Sequence, residues 1–212
     1  MLLDLIQRGG FVMYPLLGLS FLSFAVITER LIFWTRIRFY RDHKLEIHML
    51  ELVEKGQYED AIDAAVGTRD FIVCVLINGL RHRYYSLGLA LETQAGIELK
   101  YMKKNMTVLD TIITAAPLLG ILGTVVGIIM SFDVLGIQGV ADPKIVTQGI
   151  SQALITTAYG LCVSLFTIFP YNFFSSKCRY AADDMEKSAS TLEMLFEKEQ
   201  SNITFNTAKP SS

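Results

Sequence analysis

From Thr111 to Phe132 the chain runs 22 residues without a charged side chain, bracketed by Asp110 and Asp133. At ~1.5 Å per residue, a helix of that length crosses the ~30 Å of hydrocarbon in a bilayer. A backbone in lipid must satisfy its own polar groups, and a helix does so within one segment. Gly120, Gly123, Thr124, Gly127 and Ser131 recur in this stretch at helical spacing and so share one face. Small residues on a common face let a second backbone come close, which matters where lipid offers no hydrophobic drive between helices. Such a face is either a packing seam or the wall of a pore, and spacing alone leaves both open.

Two further segments have the same character. Gly9 to Thr28 holds 20 uncharged residues, entered through Gly9-Gly10 and Pro15 and closed by Glu29-Arg30, with Trp34 as an interfacial aromatic. Ile145 to Ser176 holds 32, near ~48 Å of helix, so its ends extend past the bilayer core. It repeats the small and polar face with Ala153, Thr156 or Thr157, Gly160, Ser164 and Thr167. The expected fold is an all-α polytopic membrane protein with three transmembrane helices and a helical cytoplasmic domain. The expected segments are 1–34 (a short surface helix, then transmembrane helix 1), 35–110 (cytoplasmic), 111–135 (helix 2), 136–144 (outside loop), 145–176 (helix 3), 177–200 (cytoplasmic helix) and 201–212 (disordered tail).

Charge sets the expected orientation. Eleven Lys and Arg lie between Arg36 and Lys104, against Arg8 alone before helix 1 and Lys144 alone between helices 2 and 3. Positive residues near helix ends mark the cytoplasmic side, so the chain starts outside. Within the middle segment, Leu45, Met49, Leu52 and Val53 form an apolar helix face, which breaks at Lys55-Gly56 and restarts over Gln57 to Val66. Phe71 to Leu80 is apolar but too short to span, so it reads as a packed helix. Leu87 to Asp110 reads as one helix running on into the second span. Beyond Lys177, the residues Cys178, Ala181, Met185, Leu192 and Leu195 keep near-heptad spacing, which predicts an amphipathic rod that packs subunits together.

Several functions are excluded. A net charge of -2 with no basic stripe argues against a nucleic-acid partner. Cys74, Cys162 and Cys178 are scattered, and His43, His48 and His82 lack metal-ligand spacing. No phosphate-binding loop, nucleophile elbow or zinc-protease motif occurs, so no catalytic residue, metal or cofactor is expected.

Ala115, Pro117 to Gly120, Gly123-Thr124-Val125, the run Gly149 to Leu161, and Tyr171-Asn172 resemble the ExbB/TolQ/MotA family. Gly9 to Leu17, on through Glu29-Arg30, resembles the ExbB/TolQ branch, as do three spans rather than four. The resemblance implies a pentameric ring in the inner membrane around single-span partners of the ExbD/TolR/MotB type. It also implies that protons or sodium ions pass through the complex and drive rotation or pulling. Flagellar or gliding-type stators belong to the same family, and a non-conducting scaffold is the alternative from composition. Gln152 stands where many ExbB and TolQ sequences carry glutamate.

On this resemblance the ion path is expected at Thr124 and Thr157, with Thr156 and Ser164 nearby. Gly120, Gly123, Gly127 and Gly160 are expected as helix-packing positions. Paired threonines occur in sodium-type flagellar relatives, and sodium, a hard cation, takes oxygen ligands. Proton coupling needs a titratable group inside the membrane, usually a carboxylate, and the uncharged runs of helices 2 and 3 offer Thr, Ser, Gln, Asn and Tyr but no Asp or Glu. An intramembrane aspartate of the partner is therefore expected to supply it.

Overall fold

The computed structural model describes the backbone of residues 9–138 and 143–207, and the side chains of 9–132 and 147–199. Seven helices are described: α1 (Met13–Tyr40), α2 (His43–Glu54), α3 (Tyr58–Ala64), α4 (Phe71–Arg81), α5 (Arg83–Met102), α6 (Met106–Gln138) and α7 (Pro143–Thr207). No strand occurs among the described residues, so the all-α expectation holds. Three helices are long and apolar enough to cross a membrane, within Met13–Tyr40, Met106–Phe132 and Thr147–Glu199. The expected surface helix over residues 1–7 lies outside the described residues. Of the expected outside loop, residues 139–142 lie outside the described residues, while α6 runs on to Gln138 and α7 begins at Pro143.

The chain divides into two compact units. The first takes the chain up to Leu31 together with Asn105–Ser175. Its direction is fixed by close contacts. Gly120 meets Thr157, Gly127 meets Gly149 and Gly160 meets Ala116, so α6 and α7 are antiparallel. Gly10 meets Gln152 and Ser23 meets Thr167, so α1 runs parallel to α7. Val12, Leu16, Ile112, Ala116 and Val163 make a small core, while Phe21, Phe24, Leu118, Leu154 and Phe166 point outward and are exposed. A bundle with glycines at its closest helix contacts and large apolar side chains on its outer surface is suited to lipid.

The second unit takes Ile32–Lys104 and the chain from Ser176 onward. Its centre is α4, where Phe71, Ile72, Val73, Val75, Leu76 and Leu80 are all buried. A helix with a wide apolar face packs that face into a core, and its Asn78 and Arg81 lie on the other side. Asp70 caps it, its carboxylate accepting from the backbone N–H groups of Ile72 and Val73. The break expected after Lys55 falls between α2 and α3, with Gly56 at φ +74.

Three expectations are corrected. Leu87 to Asp110 is not one helix, because α5 stops at Met102 and α6 starts at Met106. Asn105 between them takes φ 61, a left-handed conformation that asparagine tolerates better than most residues. Its amide donates to Glu29 Oε2 at 3.3 Å, which holds the turn. The second correction concerns the rod: Cys178, Ala181, Met185 and Leu192 are buried against α2, α4 and α5 of their own chain, so this stripe is not free to join subunits. The third is that α7 continues through Thr207, where disorder was expected from Ser201. Extending an existing helix costs far less than starting one, so polar residues can be carried along. Residues 208–212 lie outside the described residues.

Candidate ion path

The site is built on the α6–α7 seam, and its glycines are places where no side chain would fit. A Cβ on Gly160 would lie 2.5 Å from the Ala116 carbonyl oxygen and 3.2 Å from the Gly120 Cα. One on Gly120 would lie 3.0 Å from the Thr157 Cα, and one on Gly127 would lie 2.9 Å from the Gly149 carbonyl oxygen. Gly123 faces the Thr156 hydroxyl at even closer range. Most of these neighbours are backbone atoms that cannot swing away. Four glycines on two helices thus let the helices approach as near as their backbones allow.

The hydroxyls along the seam are each engaged. Thr156 is fully buried, and its Oγ1 donates to the Ala153 carbonyl at 2.9 Å on its own helix. Thr157 is half-buried and donates across the seam to the Gly120 carbonyl at 2.9 Å. Thr124, also half-buried, turns back to the Ile121 carbonyl at 2.5 Å. Ser131 donates to the Gly127 carbonyl at 2.8 Å. The seam therefore gathers Thr156 and Thr157 against Gly120 and Gly123, and Thr124 follows Gly123 on α6.

Ser164 lies one to two turns further along α7. Pro117 has no N–H, so it cannot bond the carbonyl four residues back, which belongs to Ile113. Ser164 Oγ donates to that carbonyl at 2.7 Å. The hydrogen bond missing at Pro117 is thus replaced by a hydroxyl from the neighbouring helix, as membrane helices require.

One buried contact is absent from the sequence reading. Ser23 of α1 and Thr167 of α7 share a hydrogen bond of 2.7 Å, both hydroxyls fully enclosed. Thr167 also donates to the Val163 carbonyl at 2.7 Å, so in the shared bond it accepts from Ser23. The only signal for it is a serine within an apolar run that also carries Ser20, and nothing in the spacing singles it out. Gln152 is also placed: its amide rests against the backbone of Gly10, which adopts φ +66. At the end of the same bundle Arg30 is buried and forks onto Glu29, with Nε and Nη2 both 2.6 Å from carboxylate oxygens.

No ionisable side chain lies between Arg8 and Glu29, between Asp110 and Asp133, or between Lys144 and Lys177 except for cysteine and tyrosine. The site can therefore offer hydroxyl and carbonyl oxygens along a narrow seam, but no carboxylate. Comparison with known proteins points the same way. Residues 72–187 match the MotA/TolQ/ExbB proton channel family, a span running from α4 through both seam helices. The chain belongs to that family. Among relatives, the protein named ExbB-like 1 of Synechocystis sp. is 36% identical over 204 residues, covering 92% of this chain and 79% of the relative. ExbB-like 3 of the same organism is 33% identical over 200 residues, covering 91% and 93%. The biopolymer transport protein ExbB of Helicobacter pylori is 44% identical over 71 residues, covering 34% of this chain and 49% of the relative. This MotA/TolQ/ExbB member is a membrane-bound channel subunit of the ExbB type and not an enzyme.

Proposed function

We propose that the chain forms a ring of subunits, pentameric as the family resemblance implies, that converts an ion gradient into mechanical work. It does so around a single-span partner of the ExbD/TolR type in the inner membrane. The start of the chain faces outward, while residues 36–110 and the C-terminal helix lie in the cytoplasm. A proton or a sodium ion is carried by an intramembrane aspartate of the partner. That aspartate passes along Thr124 and Thr157, with Thr156 and Ser164 contributing from behind, while Gly120, Gly123, Gly127 and Gly160 hold the wall.

The observation that supports this most is the partial exposure of both Thr124 and Thr157. Both are half-exposed at the edge of a tightly packed seam, in spans that contain no carboxylate. A cation crossing ~100 mV carries ~2.3 kcal/mol per charge, and hydroxyls alone do not titrate near neutral pH. The titrating group must then come from a second chain.

Reconstitution tests the reading. In liposomes under an imposed pH or sodium gradient, the purified chain alone is expected to leave the gradient intact. Co-reconstitution with its single-span partner should dissipate it, and an Asp→Asn change in the partner's span should abolish that flux. Robust flux from the chain alone would overturn the division of labour, and no flux with the partner would favour a scaffold. Cysteine labelling at Gln57→Cys and Gln138→Cys, in a background lacking Cys74, Cys162 and Cys178, reads orientation. Reaction of position 57 with an impermeant reagent in intact cells would reverse the topology.

A further inference from the structure

The second unit has a groove on one side of α5 and an unpartnered ridge on another, and the two match in level. The groove, about 480 Å³ in volume, runs between α5 and α7 from Gly88 to Leu99. The helices are antiparallel there: a Cβ on Gly88 would lie 2.7 Å from Glu193 Oε1, and the chain leaves this unit just after α5, at Lys104, and returns to it at Ser176 of α7. Leu91 and Met185, both buried, belong to its lining. Glu92, Glu186 and Glu193 stand along it, and among the described residues none of the three is ion-paired.

Gly96 points to an occupant. It sits in a helix interior, where glycine is destabilising relative to alanine. A Cβ added there would meet no atom within 4 Å. Among the described residues nothing fills this place, so a body from outside can lie against it.

The ridge follows the outer face of α5. Leu89, Ile97 and Tyr101 come at eight- and four-residue steps and are 64%, 45% and 65% exposed, while Tyr85, 93% exposed, stands before the break in the helix at Ser86 (φ -166, ψ 94). Lys100 is exposed among them. A helical side chain covers surface about one position N-terminal to its own Cα. Leu89 therefore projects at the level of Gly88, and Ile97 at the level of Gly96. Lys100 leans the same way, towards the level of Glu186, which the antiparallel register sets near Ala95.

Copies arranged around an axis parallel to α5 keep every residue at its own level. The bulky residues of one copy then arrive opposite the glycines of the next, and the lysine opposite a carboxylate. We infer that the ridge of Leu89, Ile97 and Tyr101 in one copy docks into the α5–α7 groove of a second copy of this chain. The contact joins two different patches, so it is heterologous and closes into a ring instead of stopping at a dimer. The inference rests on the ring-forming reading above and names the surfaces that hold the ring outside the apolar spans.

The test uses the full chain in native membranes, with Ile97 replaced by the photo-cross-linking residue p-benzoylphenylalanine. Illumination should yield covalent dimers whose joined peptides fall within residues 88–99 or 182–193 of the second copy. Gly96→Leu, whose side chain meets open space in the isolated subunit, should preserve helicity by circular dichroism yet reduce that cross-link at least tenfold. Glu186→Lys and Lys100→Glu should each lower the yield, and their combination should restore it. Cross-links mapping elsewhere, an undiminished yield with Gly96→Leu, or no restoration in the double variant would each overturn the docking. If native mass spectrometry still finds a ring in that case, the stator reading survives. A chain that is monomeric throughout and gives no cross-link would overturn both.

Discussion

The Thr157 hydroxyl donates to the carbonyl of Gly120, 37 residues earlier, at 2.9 Å across the α6–α7 seam. That carbonyl can be reached because Gly120 has no side chain: a Cβ there would sit 3.0 Å from the Thr157 Cα. Close approach and hydroxyl bonding are thus one feature. Interhelical hydrogen bonds in membranes contribute ~0.6 kcal/mol on average, so this bond alone does not hold the bundle together. Thr157→Val keeps the shape and removes the hydroxyl. It is expected to leave ring assembly intact while gradient-driven flux of the reconstituted complex falls by at least tenfold. Thr157→Ser should retain most of the flux. Full flux in the valine variant would remove Thr157 from the path.

Ser164 and Pro117 should be energetically coupled. Ser164→Ala leaves the Ile113 carbonyl without the 2.7 Å bond that replaces the one Pro117 cannot donate. An unsatisfied buried acceptor costs about 1–3 kcal/mol. In a Pro117→Ala background the residue at 117 regains an N–H and can bond that carbonyl itself, so Ser164→Ala should then be nearly neutral. Thermal stability in detergent, read as a double-mutant cycle, should give a coupling of about 1 kcal/mol. Additive effects would mean that the hydroxyl does not answer to the proline.

Glycines of the seam should be unlike glycines elsewhere. A Cβ at Gly160 would lie 2.5 Å from a backbone oxygen, whereas one at Gly18 of α1 meets nothing within 4 Å. Gly160→Ala is expected to separate the helices and destabilise the protein by about 1–3 kcal/mol. Gly18→Ala should be neutral or mildly stabilising, since alanine is the better helix former. Equal melting shifts for the two variants would show that the seam is looser than its contacts indicate.

Much of this architecture can be read from sequence because lipid and water impose opposite rules. Uncharged runs of 20, 22 and 32 residues are difficult to place anywhere but in a bilayer, and small residues at helical spacing mark the buried side. The break at Lys55-Gly56 shows for the same local reason, a glycine ending an apolar period. What stays hidden depends on partners distant in sequence. Nothing near Asn105 announces a left-handed turn, because Glu29, which holds it, lies 76 residues away. The near-heptad stripe from Cys178 looks the same whether its partner is another subunit or its own α4. Periodicity reveals that a face is covered but not by what. Ser188, 142 residues from Glu46, is likewise invisible as its ligand.

That last contact belongs to a buried charge cluster in the second unit, and it carries a pH prediction. Arg41 donates to Asp70 Oδ2 at 2.6 Å and to Glu46 Oε2 at 2.7 Å, His43 Nδ1 lies 2.9 Å from the same Glu46 oxygen, and the Ser188 hydroxyl donates to the other. The Asp70 side chain is fully enclosed, and that of Glu46 is 8% exposed. Burial pushes the Glu46 carboxyl upward, but hydrogen bonds from Ser188, Arg41 and His43, with the charge of Arg41, outweigh it and hold the group below its ordinary value. A carboxyl lowered in the folded state contributes stability that is complete above its unfolded value of about 4.3 and is lost as pH falls through the folded value. The second unit should therefore be stable near neutrality and lose stability below about pH 4. Glu46→Gln should flatten that acid limb, whereas Ser188→Ala should move it to higher pH by removing one of the bonds. Arg41→Leu leaves the Asp70 carboxylate buried without its ion partner and should cost about 3–5 kcal/mol at neutral pH. Chemical denaturation of the full-length protein followed at several pH values provides the measurement. An acid limb unchanged in Glu46→Gln would assign the pH dependence to other carboxylates.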